Sequence, residues 1–273
     1  MSCRMVRVRE LAGWGFDEDE YRPSVFDSAK VRKAAHRVAQ RQAFQQSEVL
    51  FAQKTSVLQD ALRTQASRLD LLSEMLGLEW TLGVVDLRSL VAFQRRLIFD
   101  PEVSPLRVPS AEDWPALTAL SFGPTKSVEC ELVHDASANA IVLRSTNPNL
   151  HFRSSSDAAA PLSVHAGSPF FEVARFRGRW FLRDGYHRAY TLLRACIFAI
   201  PAVIVQARTI EELGATQPWF YPEGVLFSEA PPLVADFNED DLVLEYERPA
   251  MVKTLRIALE ETLTPVPPTG DRL

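Results

Sequence analysis

The chain has 273 residues, of which 47% are hydrophobic and 24% are charged. That composition is typical of a globular protein with enough apolar material for one large domain or two small ones. The net charge of −5 provides no overall attraction to nucleic acid or to an anionic membrane. The longest apolar runs are far too short to span a membrane, and the N-terminal residues lack the apolar run of a signal peptide.

The cysteines are three in number and far apart, at Cys3, Cys130 and Cys196. Because no CxxC pair occurs, the sequence predicts neither a zinc site nor a disulfide framework, and a reducing cytoplasmic location fits best. Cys196 falls where a helix is expected to end, a position that glycine often occupies. We expect it to be a small, enclosed structural side chain.

The first 78 residues are predicted to form an arm and a long helix. Residues 1–27 mix arginines, glycines and acids, which indicates a poorly ordered arm. Residues 28–78 contain no proline, and their only glycine is Gly77 near the end, so the pattern predicts helix throughout. A seam of alternating four- and three-residue spacing predicts a coiled coil with another chain, a helical hairpin, or packing on the same domain. Its positions are Leu58, Leu62, Gln65, Leu69, Leu72 and Leu76.

Basic residues cluster at the start of this segment, with no acid among them. They are Lys30, Arg32, Lys33, Arg37 and Arg41. Such a run is usually a solvated face, so contact with nucleic acid is possible but not favoured. The predicted partner of the 28–78 helix is a second copy of the chain, which would make the protein a homo-oligomer.

The rest of the chain divides into residues 79–210 and an acidic extension, 211–273. Residues 80–87 read as a strand, 89–99 as a helix, 144–168 as a mobile loop and 248–263 as a closing helix.

The clearest pattern is a hairpin, a helix and a strand, which together form a compact α+β unit. Residues 170–176 and 180–183 pair across a turn at 177–179, a helix runs from 186 to 195, and residues 202–205 form a strand.

The turn before that helix carries Asp184-Gly185-Tyr186-His187-Arg188. A helix start offers unpaired N–H groups and partial positive charge. Gly185 would let a ligand approach the backbone, and Arg188 could hold two phosphate oxygens. Asp184 is predicted to cap the helix, to orient His187, or to hold a metal beside a nucleotide. The alternative is structural: a cap, a turn and two solvent-facing side chains.

Residues 181–193, followed by Ile200-Pro201-Ala202-Val203-Ile204-Val205, resemble the ParB/sulfiredoxin-like family. In the core of that family a "DGxHR" motif opens a helix, and a short link leads to "iPaiV". The resemblance covers roughly residues 170–207, is weaker over 82–99, and does not reach 1–78 or 211–273.

The resemblance implies a nucleotide or phosphate site in which Gly185, His187 and Arg188 contact phosphate beside Asp184. Members of the family include CTP-binding partition proteins, an ATP-using sulfinic-acid reductase, kinases and nucleases. Tyr186 stands where the reductase has its cysteine, which argues against that reaction. No helix-turn-helix follows the core, which argues against plasmid-style partition.

The sequence therefore predicts an α+β fold: a ParB/sulfiredoxin-like core, a long N-terminal helical segment and a C-terminal acidic extension. The predicted function is binding of a nucleotide or a phosphorylated small molecule, with Mg²⁺ accompanying a nucleoside triphosphate. Hydrolysis or transfer of phosphate would use His187 and Asp184 as catalytic residues. Two alternatives remain open at this stage: a non-catalytic oligomeric interaction protein and a DNA-associated nuclease.

Overall fold

The computed structural model describes residues 4–17, 28–51, 56–154, 162–258 and 260–264. The strands are β1 (Met5–Leu11), β2 (Leu50–Phe51), β3 (Trp80–Asp86), β4 (Val91–Ala92), β5 (Arg96–Phe99), β6 (Glu131–Asp135), β7 (Ala140–Ser145), β8 (His151–Ser154), β9 (Leu162–His165), β10 (Glu172–Phe176), β11 (Arg179–Asp184), β12 (Ala199–Gln206), β13 (Val243–Pro249) and β14 (Lys253–Ala258). The helices are α1 (Ser28–Ala39), α2 (Ser56–Ala66), α3 (Leu69–Glu74), α4 (Trp114–Ser121), α5 (Tyr186–Arg194), α6 (Ile210–Leu213) and α7 (Glu223–Leu226).

The chain divides into two compact units that do not coincide with the four predicted segments. The first unit comprises residues 1–125 and 168–250, and the second comprises 126–167 and 251–273. The first unit contains a six-stranded sheet in the order β2-β3-β12-β10-β11-β4 and a three-stranded sheet in the order β13-β1-β5. The main hydrophobic core lies in this unit.

The hairpin, helix and strand predicted around the motif are confirmed. Strands β10 and β11 pair across Arg177 and Gly178, which both have positive φ, as a two-residue type I′ hairpin turn requires. Helix α5 follows β11, and β12 then pairs in parallel with β10. All residues of β12 except its two ends are buried, as expected for a central strand read from a continuous apolar run.

The predicted long N-terminal helix is wrong, and with it the predicted fold class. Within 28–78 the described residues form three short helices, and an extended stretch lies between α1 and β2. The leucine seam is split between two environments: Leu58 and Leu62 are buried in the core, whereas Leu69, Leu72 and Leu76 are exposed. The prediction of a homo-oligomer through this helix loses its basis.

The predicted N-terminal arm is also wrong where it is described, because β1 is the central strand of its sheet. It pairs antiparallel with β13 on one side and with β5 on the other. Val6, Val8 and Leu11 are buried. Residues 89–99, predicted as a helix, instead supply strands β4 and β5. The apolar residues at the two ends of this segment lie in sheets, so their burial does not require a helix.

The basic run on α1 contacts acids of the same chain. Lys33 and Arg37 each bind Asp241 at 2.9 Å, and Arg37 also contacts Glu239 at 3.3 Å. Arg41 forms a pair of hydrogen bonds with Asp236, at 2.6 and 2.9 Å. The predicted basic face and the predicted acidic extension therefore neutralise each other in part.

The second unit is built from strands. Its sheet has the order β14-β7-β6, and β8 and β9 form a separate hairpin. Two predictions are corrected here: 144–168 is not a continuous loop, and 248–263 contains β14 instead of a closing helix. Lys253, Leu255 and Ile257 alternate in burial with the exposed residues between them, which is the period of a half-buried strand.

Helix α5 ends in a Schellman motif with Cys196 at the left-handed position. Cys196 has φ 58°, its N–H donates to Leu193, and the N–H of Ile197 donates to Leu192. The position thus matches the predicted glycine-like site. The side chain is exposed, however, so the prediction that it is enclosed is wrong.

Replacing Cys196 by glycine is expected to stabilise the protein. A left-handed residue with a Cβ costs about 1–2 kcal/mol, of which the added chain entropy of glycine offsets part. Cys196→Gly should raise the free energy of unfolding by about 0.5–1 kcal/mol in urea denaturation. Ala195→Gly, one residue earlier at φ −89°, should lower it. A loss of stability in Cys196→Gly would contradict this assignment.

Candidate functional site

The turn between β11 and α5 has a backbone that only glycine fits easily. Gly185 has φ 102°, and a Cβ added there would lie 2.5 Å from Cδ2 of Phe171. The sequence suggested that the missing Cβ serves a ligand. In the structure Phe171, which is fully buried, already fills that space. Glycine is therefore needed here for folding, whatever else the turn binds.

Helix α5 begins at a glycine N-cap. Gly185 is the N-cap residue and has no side chain to bond to the first turn, which contains no acid. Asp184 lies one residue before the N-cap, and capping of the helix by its carboxylate stays a prediction. Oδ1 of Asp184 accepts a hydrogen bond from Nη2 of Arg188 at 3.2 Å. The positive end of the helix dipole is left without a carboxylate in its first turn.

Tyr186, at the position before His187, is directed into the protein. Its hydroxyl donates to the carbonyl of Leu182 at 2.8 Å and accepts from the N–H groups of Phe93 and Gln94 at 3.1 and 3.3 Å. Burial raises the pKa of the Tyr186 phenol far above its usual value. This side chain ties α5 to the segment after β4.

His187 lies on the exposed side of the first turn. Its Nε2 is 2.9 Å from the carbonyl oxygen of Ile98, and its ring meets the Phe99 ring edge-on at 5.3 Å. The imidazole is therefore oriented by β5 and remains accessible from solvent. Of the predicted phosphate-contacting side chains, it is the most exposed.

Arg188 joins three backbone segments. Its guanidinium donates to the carbonyls of Leu120, Pro169 and Phe170 at 3.1, 2.9 and 2.6 Å, in addition to Asp184. Its side chain is 15% exposed, and desolvation lowers the pKa of the guanidinium. The structure brings Arg188 and Asp184 together, but it directs Arg188 toward the protein. Direct contact between Arg188 and phosphate stays a prediction.

A buried carboxyl group lies beside this turn. Glu172 is the cross-strand partner of Asp184, and a β-bulge leaves Arg183 as the extra residue of β11. Nη1 of Arg183 donates to Oε2 of Glu172 at 2.8 Å. The other oxygen, Oε1, is buried and has no hydrogen-bond partner among the described residues.

The pKa of Glu172 is raised from its ordinary value of 4.5 to about 7. Burial is the main cause, the charge of Arg183 opposes it, and the nearby carboxylates of Glu74 and Asp184 raise the pKa further. The Ser168 hydroxyl lies beside the carboxyl group and lowers the pKa. A buried carboxyl group whose pKa is shifted by burial and by neighbouring charges is typical of functional sites.

A surface cavity of about 470 Å³ lies along α4 and the loop before it. Its lining residues are Arg107, Val108, Pro109, Ser110, Asp113, Ala116 and Leu120. Leu120 connects the cavity to the turn, because its carbonyl accepts from Arg188. The preceding loop starts just after β5, where Ile98 meets His187. The cavity-lining stretch thus contacts the first turn of α5 at its Leu120 end.

The sequence did not single out Arg107 or the cavity. Proline-rich loops are surface features, and only the fold brings this one to α5. The carboxylate of Asp113 accepts from the N–H of Ala116 at 3.0 Å and so caps α4. Arg107 is exposed and forms no ion pair with any described residue, which leaves it as the cationic group of the cavity.

No metal site is formed by this chain's side chains in the ranges that the structure describes, since no group of three or more His, Cys, Asp or Glu is arranged to hold an ion. The prediction of Mg²⁺ therefore depends on ligands that a nucleotide would bring, and it stays a prediction. None of the described helices is both long and apolar enough to cross a bilayer.

Arg188→Ala is expected to destabilise the protein strongly. The change removes the Arg188 donors from three carbonyls and takes away the ion pair with Asp184, so the free energy of unfolding should fall by about 3–5 kcal/mol. Arg194→Ala, in the same helix at an exposed position, should cost less than about 1 kcal/mol. Urea denaturation of both variants tests this, and equal losses would show that the carbonyl contacts of Arg188 carry little energy.

Stability should fall as the pH rises through the pKa of Glu172. Between its unfolded value and about 7, the native state keeps a proton that the unfolded state releases. The free energy of unfolding therefore decreases with pH over this range. Glu172→Gln should flatten the decline between about pH 4.5 and about pH 7, whereas Glu247→Gln, at an exposed position of β13, should not. An unchanged slope in Glu172→Gln would contradict the raised pKa.

Comparisons with known protein families, curated proteins and solved structures gave no match to this chain.

Proposed function

We propose that the chain binds a phosphate-bearing ligand, best a nucleotide, at the start of α5 and in the adjoining cavity. The observation that carries the proposal is the first turn of α5, which starts at a glycine N-cap, bears the exposed His187 and contains no acid. A phosphate placed there accepts from backbone N–H groups and lies at the positive end of the helix dipole. A dianion would also offset the unfavourable placement of two basic side chains at a helix start.

The cavity supports a ligand larger than phosphate itself. Its volume of about 470 Å³ falls within the range of small-molecule sites, roughly 300–1,000 Å³. Arg107 and Ser110 offer a cation and a hydroxyl, and Val108 and Ala116 offer apolar contact for a base or sugar. The proposed division of roles has phosphate at α5 and the remainder of the nucleotide in the cavity.

Arg188 acts in this proposal mainly as a positioning residue. By holding the carbonyls before β10 and at the end of α4, it fixes the cavity wall relative to the helix start. Asp184 orients Arg188 from the other side. Both residues therefore support the phosphate site. Arg188 does so through the backbone segments that it holds and does not touch the ligand.

Hydrolysis or transfer of phosphate is the second step of the proposal. His187 is exposed and held by Ile98, so it can exchange a proton with a phosphate oxygen or a leaving group. The resemblance to the ParB/sulfiredoxin-like family over residues 170–207 supports the same reading. A cytoplasmic location belongs to the proposal as well, since the ligand and the three widely separated cysteines fit that compartment.

Replacing His187 or Arg107 should weaken nucleotide binding without lowering the free energy of unfolding. Calorimetry with nucleoside triphosphates and with pyrophosphate, with and without Mg²⁺, identifies the ligand. His187→Ala should then weaken binding about tenfold or more, since hydrogen bonds to charged groups contribute about 1.5–3 kcal/mol. Arg107→Ala should weaken nucleotide binding more than pyrophosphate binding, because it removes a cavity contact.

The control for these variants is Arg63→Ala, which replaces an exposed arginine of α2 that forms an ion pair with nearby Asp60. It should bind as the parent does. If none of the phosphorylated ligands binds the parent, or if His187→Ala and Arg107→Ala bind as tightly as Arg63→Ala, the proposed function is wrong. Phosphate release on any ligand that binds then separates an enzyme from a binding protein.

A further inference from the structure

The ionisable groups around the start of α5 carry an excess of negative charge when all are ionised, and this excess opposes anion binding. Two carboxyl groups, Glu74 and Asp184, lie close enough to Glu172 to raise its pKa, and two guanidinium groups of opposite charge, Arg183 and Arg188, interact with Glu172. With all five groups ionised, the cluster has an excess of one negative charge. A dianion arriving at the helix start would meet that excess at short range.

One of these carboxyl groups can lose its charge at small cost. Glu172 is 4% exposed, and its Oε1 has no hydrogen-bond partner among the described residues. A second buried atom without a partner, Oγ of Ser121, lies in the adjoining segment, whose carbonyl accepts from the N–H of Phe171 at 2.8 Å. Buried polar atoms without hydrogen-bond partners favour the neutral, protonated state of an acid, or a proton shared with a neighbouring group.

We propose that Glu172 takes up a proton when a phosphate dianion binds at the start of α5, so that anion binding and proton uptake are coupled. The inference rests on the proposed function, because it concerns the same site. Protonation removes the excess negative charge from the cluster while Arg183 keeps Oε2 in place. Glu172 is thus a positioning residue for the anion and does not touch it.

The groups that face Glu172 come from every element packed against it. Strand β11 contributes Arg183 and Asp184, α3 contributes Glu74, and α5 contributes Arg188. The Ser168 hydroxyl, just before β10, accepts from the N–H of Phe170 at 3.0 Å. Strand β12 contributes the uncharged Val203 as backbone partner. Of these acids, Glu172 is the most deeply buried and is therefore the one that a new negative charge protonates.

The test is calorimetric titration with sulfate, which stays a dianion over the range used. Near pH 7, the heat of binding in two buffers of different ionisation enthalpy gives the number of protons taken up. We expect a value approaching one half for the parent protein, because at this pH about half of the free protein already carries the proton on Glu172. The affinity for sulfate should also be roughly five- to tenfold higher at about pH 6 than at about pH 8.

Three variants assign the proton. Glu172→Gln should lose the proton uptake and most of the pH dependence, whereas Glu247→Gln should keep both. Histidine side chains titrate in the same range, so His187→Gln is the third variant, and it should retain uptake. Uptake that persists in Glu172→Gln and disappears in His187→Gln would overturn the inference.

The parent protein separates this inference from the proposed function. Sulfate or pyrophosphate that binds without proton uptake overturns the role of Glu172 and leaves the phosphate site standing. If neither anion binds at either pH, the proposed function fails, and the coupling fails with it.

Discussion

The guanidinium group of Arg188 holds the first unit together at the place where the chain turns from sheet to helix. It donates hydrogen bonds to the carbonyls of Leu120, Pro169 and Phe170, which lie at the end of α4 and just before β10. Buried carbonyl acceptors without donors are costly, and Arg188 supplies donors to these three. Gly185 and Phe171 complete the arrangement, because the left-handed turn leaves no room for a Cβ.

This constraint has an electrostatic consequence. The buried positive charge of Arg188 is stabilised by nearby carboxylates, and Asp184 and Glu172 provide them from adjacent strands. The bulge that brings Arg183 against Glu172 adds a second cation, yet leaves one carboxylate oxygen unsatisfied. The helix start itself has no carboxylate in its first turn. The turn therefore combines a positive backbone site with an acid that can change charge, which is what a site for a proton-linked anion needs.

The sequence predicted the local part of this arrangement well. The hairpin turn at Arg177-Gly178, the helix after Gly185 and the apolar run of β12 depend on neighbours within a few residues, and all are confirmed. The role of Arg188 could not be predicted, since its carbonyl partners lie 18, 19 and 68 residues away. The long helix failed for a related reason: regular leucine spacing does not reveal that tertiary contacts bury Leu58 and Leu62 but expose Leu69.

The proposed phosphate site depends on the backbone N–H groups at the start of α5. Backbone amide resonances, followed by ¹⁵N NMR during titration with pyrophosphate, test it directly because they report each N–H separately. We expect the largest shifts at Gly185, Tyr186, His187 and Arg188, with smaller shifts along the cavity at Ser110. Shifts confined to the basic residues of α1, with none at the start of α5, would contradict it.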